Sequence, residues 1–103
     1  MTTKTFGLTP DNWKRIIQLV VDPLKQIGAK IYVFGSRARG DHQEFSDLDL
    51  LVESESPLPI YLLSQIRSQL EESRLPIKVD VVDIHELADS FKGNVLRERV
   101  EIN

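Results

Sequence analysis

The sequence predicts an α/β (α+β) fold, a small mixed β-sheet flanked by helices. Three observations predict it. Residues 30–34, 47–53 and 77–83 are rich in Val, Ile, Leu and Phe and read as strands. The segments before and between them place apolar residues three or four apart, the spacing of helices that bury one face. Proline, glycine and serine mark the joints, so helix and strand alternate along the chain. A chain of 103 residues is enough for one domain, residues 1–103, with a single modest core. Residues 1–8 are expected to form a flexible, loosely docked arm.

Thr9 followed by Pro10 predicts a helix N-cap and its first helical residue, with Asp11 placed favourably near the positive end of the helix dipole. Trp13, Ile16, Ile17, Val20, Leu24 and Ile27 then form one apolar stripe. Pro23 interrupts this helix because its ring clashes with the carbonyl of Leu19, so a kink or break is expected near Asp22. Gly28 closes the helix. The first strand, residues 30–34, is almost continuously apolar, which requires cover on both faces. Residues 36–39 predict a short helix closed by Gly40, and residues 41–46 a polar loop.

After the second strand, Ser56 and Pro57 predict the cap and first residue of a further helix. That helix buries Leu62, Leu63, Ile66 and Leu70 and wets Gln65, Arg67 and Glu71. Pro76 breaks the chain before the third strand. Ile84, Leu87, Ala88 and Phe91 are helically spaced, with Gly93-Asn94 as an interruption. Residues 100–102 read equally as a last helical turn or an edge strand. Arg97, Glu98 and Arg99 read as a solvated face, and His42 and His85 as solvent-facing.

The chemistry concentrates between Gly35 and Leu50. Strand side chains alternate faces, so Asp47 and Asp49 project to one side while Leu48 and Leu50 enter the core. Two like charges about 4 Å apart at an effective dielectric near 20 repel by roughly 4 kcal/mol. Carboxylates placed in this way call for a proton or a cation, and hard divalent cations such as Mg²⁺ favour such oxygens. Asp80 lies between Val79 and Val81, where a carboxylate is costly unless it is paired or metal-bound. The small turn Gly35-Ser36 offers the complementary half, backbone N–H groups and a hydroxyl open to a phosphate.

Gly35-Ser36, ten intervening residues and then Asp47-x-Asp49 resembles the signature of the DNA polymerase beta-like nucleotidyltransferase superfamily. Gly-Ser-Arg-Ala-Arg-Gly at residues 35–40 and Ser-Asp-Leu-Asp-Leu at residues 46–50 are similar to its small stand-alone members, the minimal nucleotidyltransferases. The resemblance implies a nucleotidyltransferase fold and transfer of AMP from ATP to a hydroxyl. It implies two Mg²⁺ ions about 3.5–4 Å apart, held by Asp47, Asp49 and Asp80, which would also be the catalytic acids. It further implies nucleotide binding by Gly35, Ser36, Arg37 and Arg39, with one of the two arginines facing the triphosphate. Minimal members resemble one half of a toxin–antitoxin pair. The partner that this implies is an all-helical HEPN-domain ribonuclease, silenced by AMP on a tyrosine. Two other readings stay open: a binding-only antitoxin, and an enzyme acting on a small molecule or nucleic acid.

Bulk properties narrow the field. The net charge of −3 argues against a broad nucleic-acid surface. The absence of cysteine excludes a disulfide framework and thiolate metal sites. No apolar run approaches the ~20 residues of a bilayer span, and the start carries no secretory-type apolar segment, so a cytoplasmic protein is expected.

Overall fold

A computed structural model describes residues 4–102. In chain order the elements are helix α1 (Pro10–Ile16), a π-helical turn (Ile17–Val21), α2 (Asp22–Gln26), strand β1 (Lys30–Phe34), α3 (Ser36–Arg39), β2 (Leu48–Glu53), α4 (Ile60–Glu72), β3 (Val79–Asp83), a 3₁₀ turn (Ile84–Glu86), α5 (Asp89–Glu98) and β4 (Val100–Glu101). The strands form one four-stranded sheet in the order β3-β2-β1-β4. It is mixed: β1 runs antiparallel to β2 and β4, while β2 and β3 are parallel.

Strand parity sorts the sheet into two faces. Ile31, Val33, Leu48, Leu50 and Val52 are completely buried and join Ile16, Val20, Leu24, Leu63 and Ile66 in the main core. Each such side chain contributes roughly 1.5–3 kcal/mol through its burial. The opposite face buries Tyr32 and Leu51 against Val95 of α5 in a smaller cluster. Phe34, Asp49 and Asp80 share this second face, because Phe34 is the register partner of Asp49 and Asp49 that of Asp80.

Several expectations change in the folded chain. Of the expected arm, residues 4–8 are described, and they dock. Phe6 and Leu8 are buried, and the Phe6 ring lies 5.3 Å from that of Trp13. Residues 1–3 lie outside the described residues. Thr9 does cap α1, its hydroxyl accepting from the Asn12 amide at 3.2 Å. The disturbance from Pro23 appears one turn earlier than expected, as the π-helical turn. There the Asp22 N–H reaches back to the Ile17 carbonyl, consistent with a proline that has no N–H to give Leu19. Ile27, placed on the apolar stripe by its spacing, is exposed.

The fourth helix starts at Ile60 rather than at Pro57, and no side chain caps it. Leu58 is instead buried, its amide held by Asp83 at 2.8 Å. Asp83 also accepts from His85 N at 3.0 Å, so two backbone donors satisfy a carboxylate that is 1% exposed. The expected helix from Ile84 splits into a 3₁₀ turn and α5, and α5 runs through Gly93-Asn94 without interruption. Phe91 is therefore exposed and Val95 buried. Residues 100–101 form an edge strand, pairing with Tyr32 and Val33.

Candidate active site

The site is organised by the end of β1. Gly35 has φ +77°, a conformation that favours glycine. A methyl group built on it would collide with Oδ2 of Asp49. The turn and the second strand's acid are thus in direct contact, and only a residue without a side chain allows it. Ser36 opens α3, whose last turn closes at Gly40, the Gly40 N–H donating to the Ser36 carbonyl at 2.9 Å.

The three acids named from the sequence occupy one side of the molecule. Asp49 and Asp80 stand opposite each other in the β2–β3 register, and Asp47 is exposed just before β2. Burial raises the Asp49 carboxyl from its ordinary 3.8 to about 6. The charges of Asp80, Asp47 and Glu98 add to the rise, and Lys78 opposes it. Lys78 Nζ lies 3.4 Å from Asp80 Oδ1 and partly neutralises it. Asp49 therefore feels the charge of the other two, yet among the described residues no three acidic or histidine groups form a ready-made metal cage. The donor set still suits Mg²⁺: oxygen ligands only, with one half-buried carboxylate whose ionisation a cation would favour.

The two arginines part company. Arg37 is 2% exposed and grips three backbone carbonyls. Its Nε donates to Ser46 O at 3.0 Å, Nη1 to Phe6 O at 2.8 Å and Nη2 to Glu44 O at 3.0 Å. This guanidinium clamps the N-terminal segment and the 41–46 loop together, so that of the two arginines, one of which is expected to face the triphosphate, Arg37 is the one committed to the backbone. Arg39 is exposed, with Nε 3.2 Å from Asp41 and Nη1 3.0 Å from Glu98. His42 is half-buried beside Gly7 and Arg37 rather than solvent-facing.

Sequence reasoning missed Glu98. Its Oε1 accepts from the Gly35 amide at 3.0 Å while Oε2 holds Arg39. Its neighbour Arg99 pairs with Glu53 and lies 4.5 Å over the Tyr32 ring. The only sequence signal was a charged triplet ending a helix. A cleft of about 460 Å³ separates Gly35 and Arg39 from Phe91 and Asn94 of α5. A second, of about 540 Å³, runs along β3 past Asp49, Lys78 and Asp80. Asp49, which lines the second, lies against Gly35, which lines the first.

Chemically, an amide-bearing turn and an exposed arginine on one side, with carboxylates on the other, suit the handling of phosphate esters. Comparison with known proteins makes the class specific: the family described as polymerase beta, nucleotidyltransferase, matches residues 15–103, and the chain belongs to it. The chain is 36% identical over 72 residues to the "probable protein adenylyltransferase MntA" of Haemophilus influenzae, covering 70% of this chain. It spans only 63% of that relative's length. A solved structure of a "putative minimal nucleotidyltransferase" superposes with a TM-score of 0.69 at 32% identity, covering 92% of this chain and 97% of the other. A toxin–antitoxin crystal structure with AMP-PNP contains a chain that superposes with a TM-score of 0.66 at 25% identity, covering 85% of this chain and 69% of that one.

Proposed function

We propose that this chain is a protein adenylyltransferase and an antitoxin, moving AMP from ATP onto a tyrosine hydroxyl of a HEPN-domain ribonuclease partner. The observation that carries the reading is the glycine turn pressed against Asp49, with Asp80 in register beside it. That contact brings a phosphate-binding amide and acidic oxygens to one point. The adenylyltransferase relative and the toxin–antitoxin neighbour holding an ATP analogue support the choice of nucleotide and partner. Absence of a helix long and apolar enough to cross a membrane, among the described residues, is compatible with action in the cytoplasm.

In the reaction the tyrosine oxygen bonds to the α-phosphorus of ATP, the bond from that phosphorus to the β-phosphate oxygen breaks, and pyrophosphate leaves. The Gly35 amide and the Ser36 hydroxyl hold the leaving phosphates, and Arg39 supplies a mobile cation beside them. Asp80 stands on the edge strand, held by Lys78 rather than by the core, and takes the proton of the attacking hydroxyl. Asp47, Asp49 and Asp80 are the residues that would hold Mg²⁺, which when bound stabilises charge on the attacking and leaving oxygens.

The test is incubation with labelled ATP, Mg²⁺ and a HEPN-domain ribonuclease partner, to be sought in the neighbouring reading frame. Label should appear on the partner with the wild type and fall by about 100-fold or more with Asp47→Asn or Asp49→Asn. Absence of label with the wild type refutes the enzyme. Protection of cells by the unlabelling variants would establish neutralisation by contact alone.

A further inference from the structure

The Gly35 amide and Arg39 already hold an anion, and it belongs to the protein. Both oxygens of Glu98 are engaged, one by the Gly35 N–H and the other by Arg39 Nη1, each at 3.0 Å. A carboxylate bound by an amide and a guanidinium presents the same charge and acceptor geometry as two phosphate oxygens. We propose that Glu98 is an internal competitor for the triphosphate, a latch that keeps the Gly35–Arg39 cradle filled until nucleotide displaces it. The inference rests on the nucleotide-binding reading of Gly35 and Arg39 given above.

The surroundings suit a latch made of one side chain. Val95 is buried in the cluster under α5, and Val100 pairs with Val33 in β4, so the backbone around residue 98 is anchored on both sides. Arg99 is likewise tied to Glu53 and Tyr32. The Glu98 side chain itself is 24% exposed and its partner Arg39 47% exposed, so the pair opens into solvent by side-chain rotation. The cleft of about 460 Å³ beside it receives the displaced carboxylate without movement of the helix. Such a latch lowers apparent affinity by the fraction of molecules in which it is open.

The experiment is calorimetric titration of the full chain with ATP and, separately, inorganic tripolyphosphate, for wild type, Glu98→Ala and Glu98→Gln. Amide NMR of Gly35 is followed in parallel. Tighter binding of both ligands by Glu98→Ala, by roughly twofold to fivefold as expected for an exposed charged pair, supports the latch. Glu98→Gln keeps the shape without the charge and should fall between the other two. In the wild type the Gly35 amide resonance should shift on adding tripolyphosphate, and in Glu98→Ala it should already be shifted before any ligand is added. Binding by a Glu98 variant where the wild type binds nothing also supports it. Equal or weaker binding by both variants overturns the latch and leaves the nucleotide site standing. No binding of ATP by any of the three proteins overturns the nucleotide-binding reading, and the latch with it. If Glu98→Ala does not fold, Glu98→Gln and the Gly35 resonance decide the matter alone.

Discussion

The two faces of the sheet are made by the same strands and do opposite work. On one, Ile31, Val33, Leu48, Leu50 and Val52 meet the helices with no exposed surface at all. On the other, Asp49 and Asp80 alternate with them along β2 and β3, and a carboxyl is held there against its preference, with Asp49 raised to about 6. A step of one residue along β2, from Leu50 to Asp49, crosses from the part that supplies stability to the part that consumes it. The acids are tolerated because the opposite face is packed well enough to carry them.

The largest effect expected from breaking this contrast is on the packed face. Leu50→Ala leaves a cavity in a side with no exposure and should cost about 3 kcal/mol, read as a lower urea midpoint with unchanged slope. Arg37→Ala should follow at about 2–3 kcal/mol, since three backbone carbonyls lose their donor at once. Arg37→Lys should not restore it, because an ammonium cannot span that fork. Arg39→Ala, two residues on and exposed, should change stability by less than about 1 kcal/mol in the same assay. Comparable losses from the two arginines would erase the distinction drawn between them.

A further effect, also small, has the opposite sign. A folded-state pKa of about 6 against an ordinary 3.8 means that the folded chain binds the Asp49 proton more tightly than the unfolded chain does. Stability from this group is therefore present below about pH 4, declines as pH rises through about 6, and stays lost above it. In metal-free buffer Asp49→Asn should raise stability at pH 7.5 by about 1 kcal/mol, allowing for solvent screening of a partly exposed group. The advantage should vanish near pH 4. A variant less stable than wild type at both pH values would show that Asp49 is held by favourable contacts instead.

Much of this was legible in the residues. β1 matches its expected bounds, and α3 ends where Gly40 requires, at φ +86°. β2 and β3 start one and two residues late, an end effect of strands leaving loops. The face shared by Asp49 and Asp80 follows from period-two alternation once the strands pair. Other features carried no local signature. The docking of the Phe6 segment depends on Arg37, 31 residues further on, whose Nη1 donates to the Phe6 carbonyl. Gly93 is tolerated inside α5 because packing of Val95 outweighs a cost of about 1 kcal/mol in helix propensity. Arg37 and Arg39 have the same chemistry in the same short helix, and only the positions of Phe6, Glu44 and Ser46 separate a clamp from a mobile cation.

The amino-acid order alone determined the three main strands and the first helix start, which residues share a strand face, and that a glycine-serine bend precedes two acids. These depend on side-chain period and backbone sterics, which act within a few residues. Tertiary structure decided that Gly35 touches Asp49, that Arg37 is buried, and that a glutamate 63 residues away fills the Gly35 amide. Those contacts join segments far apart in the chain, and burial, charge and hydrogen bonding assign partners across such distances only after the sheet and its helices have closed.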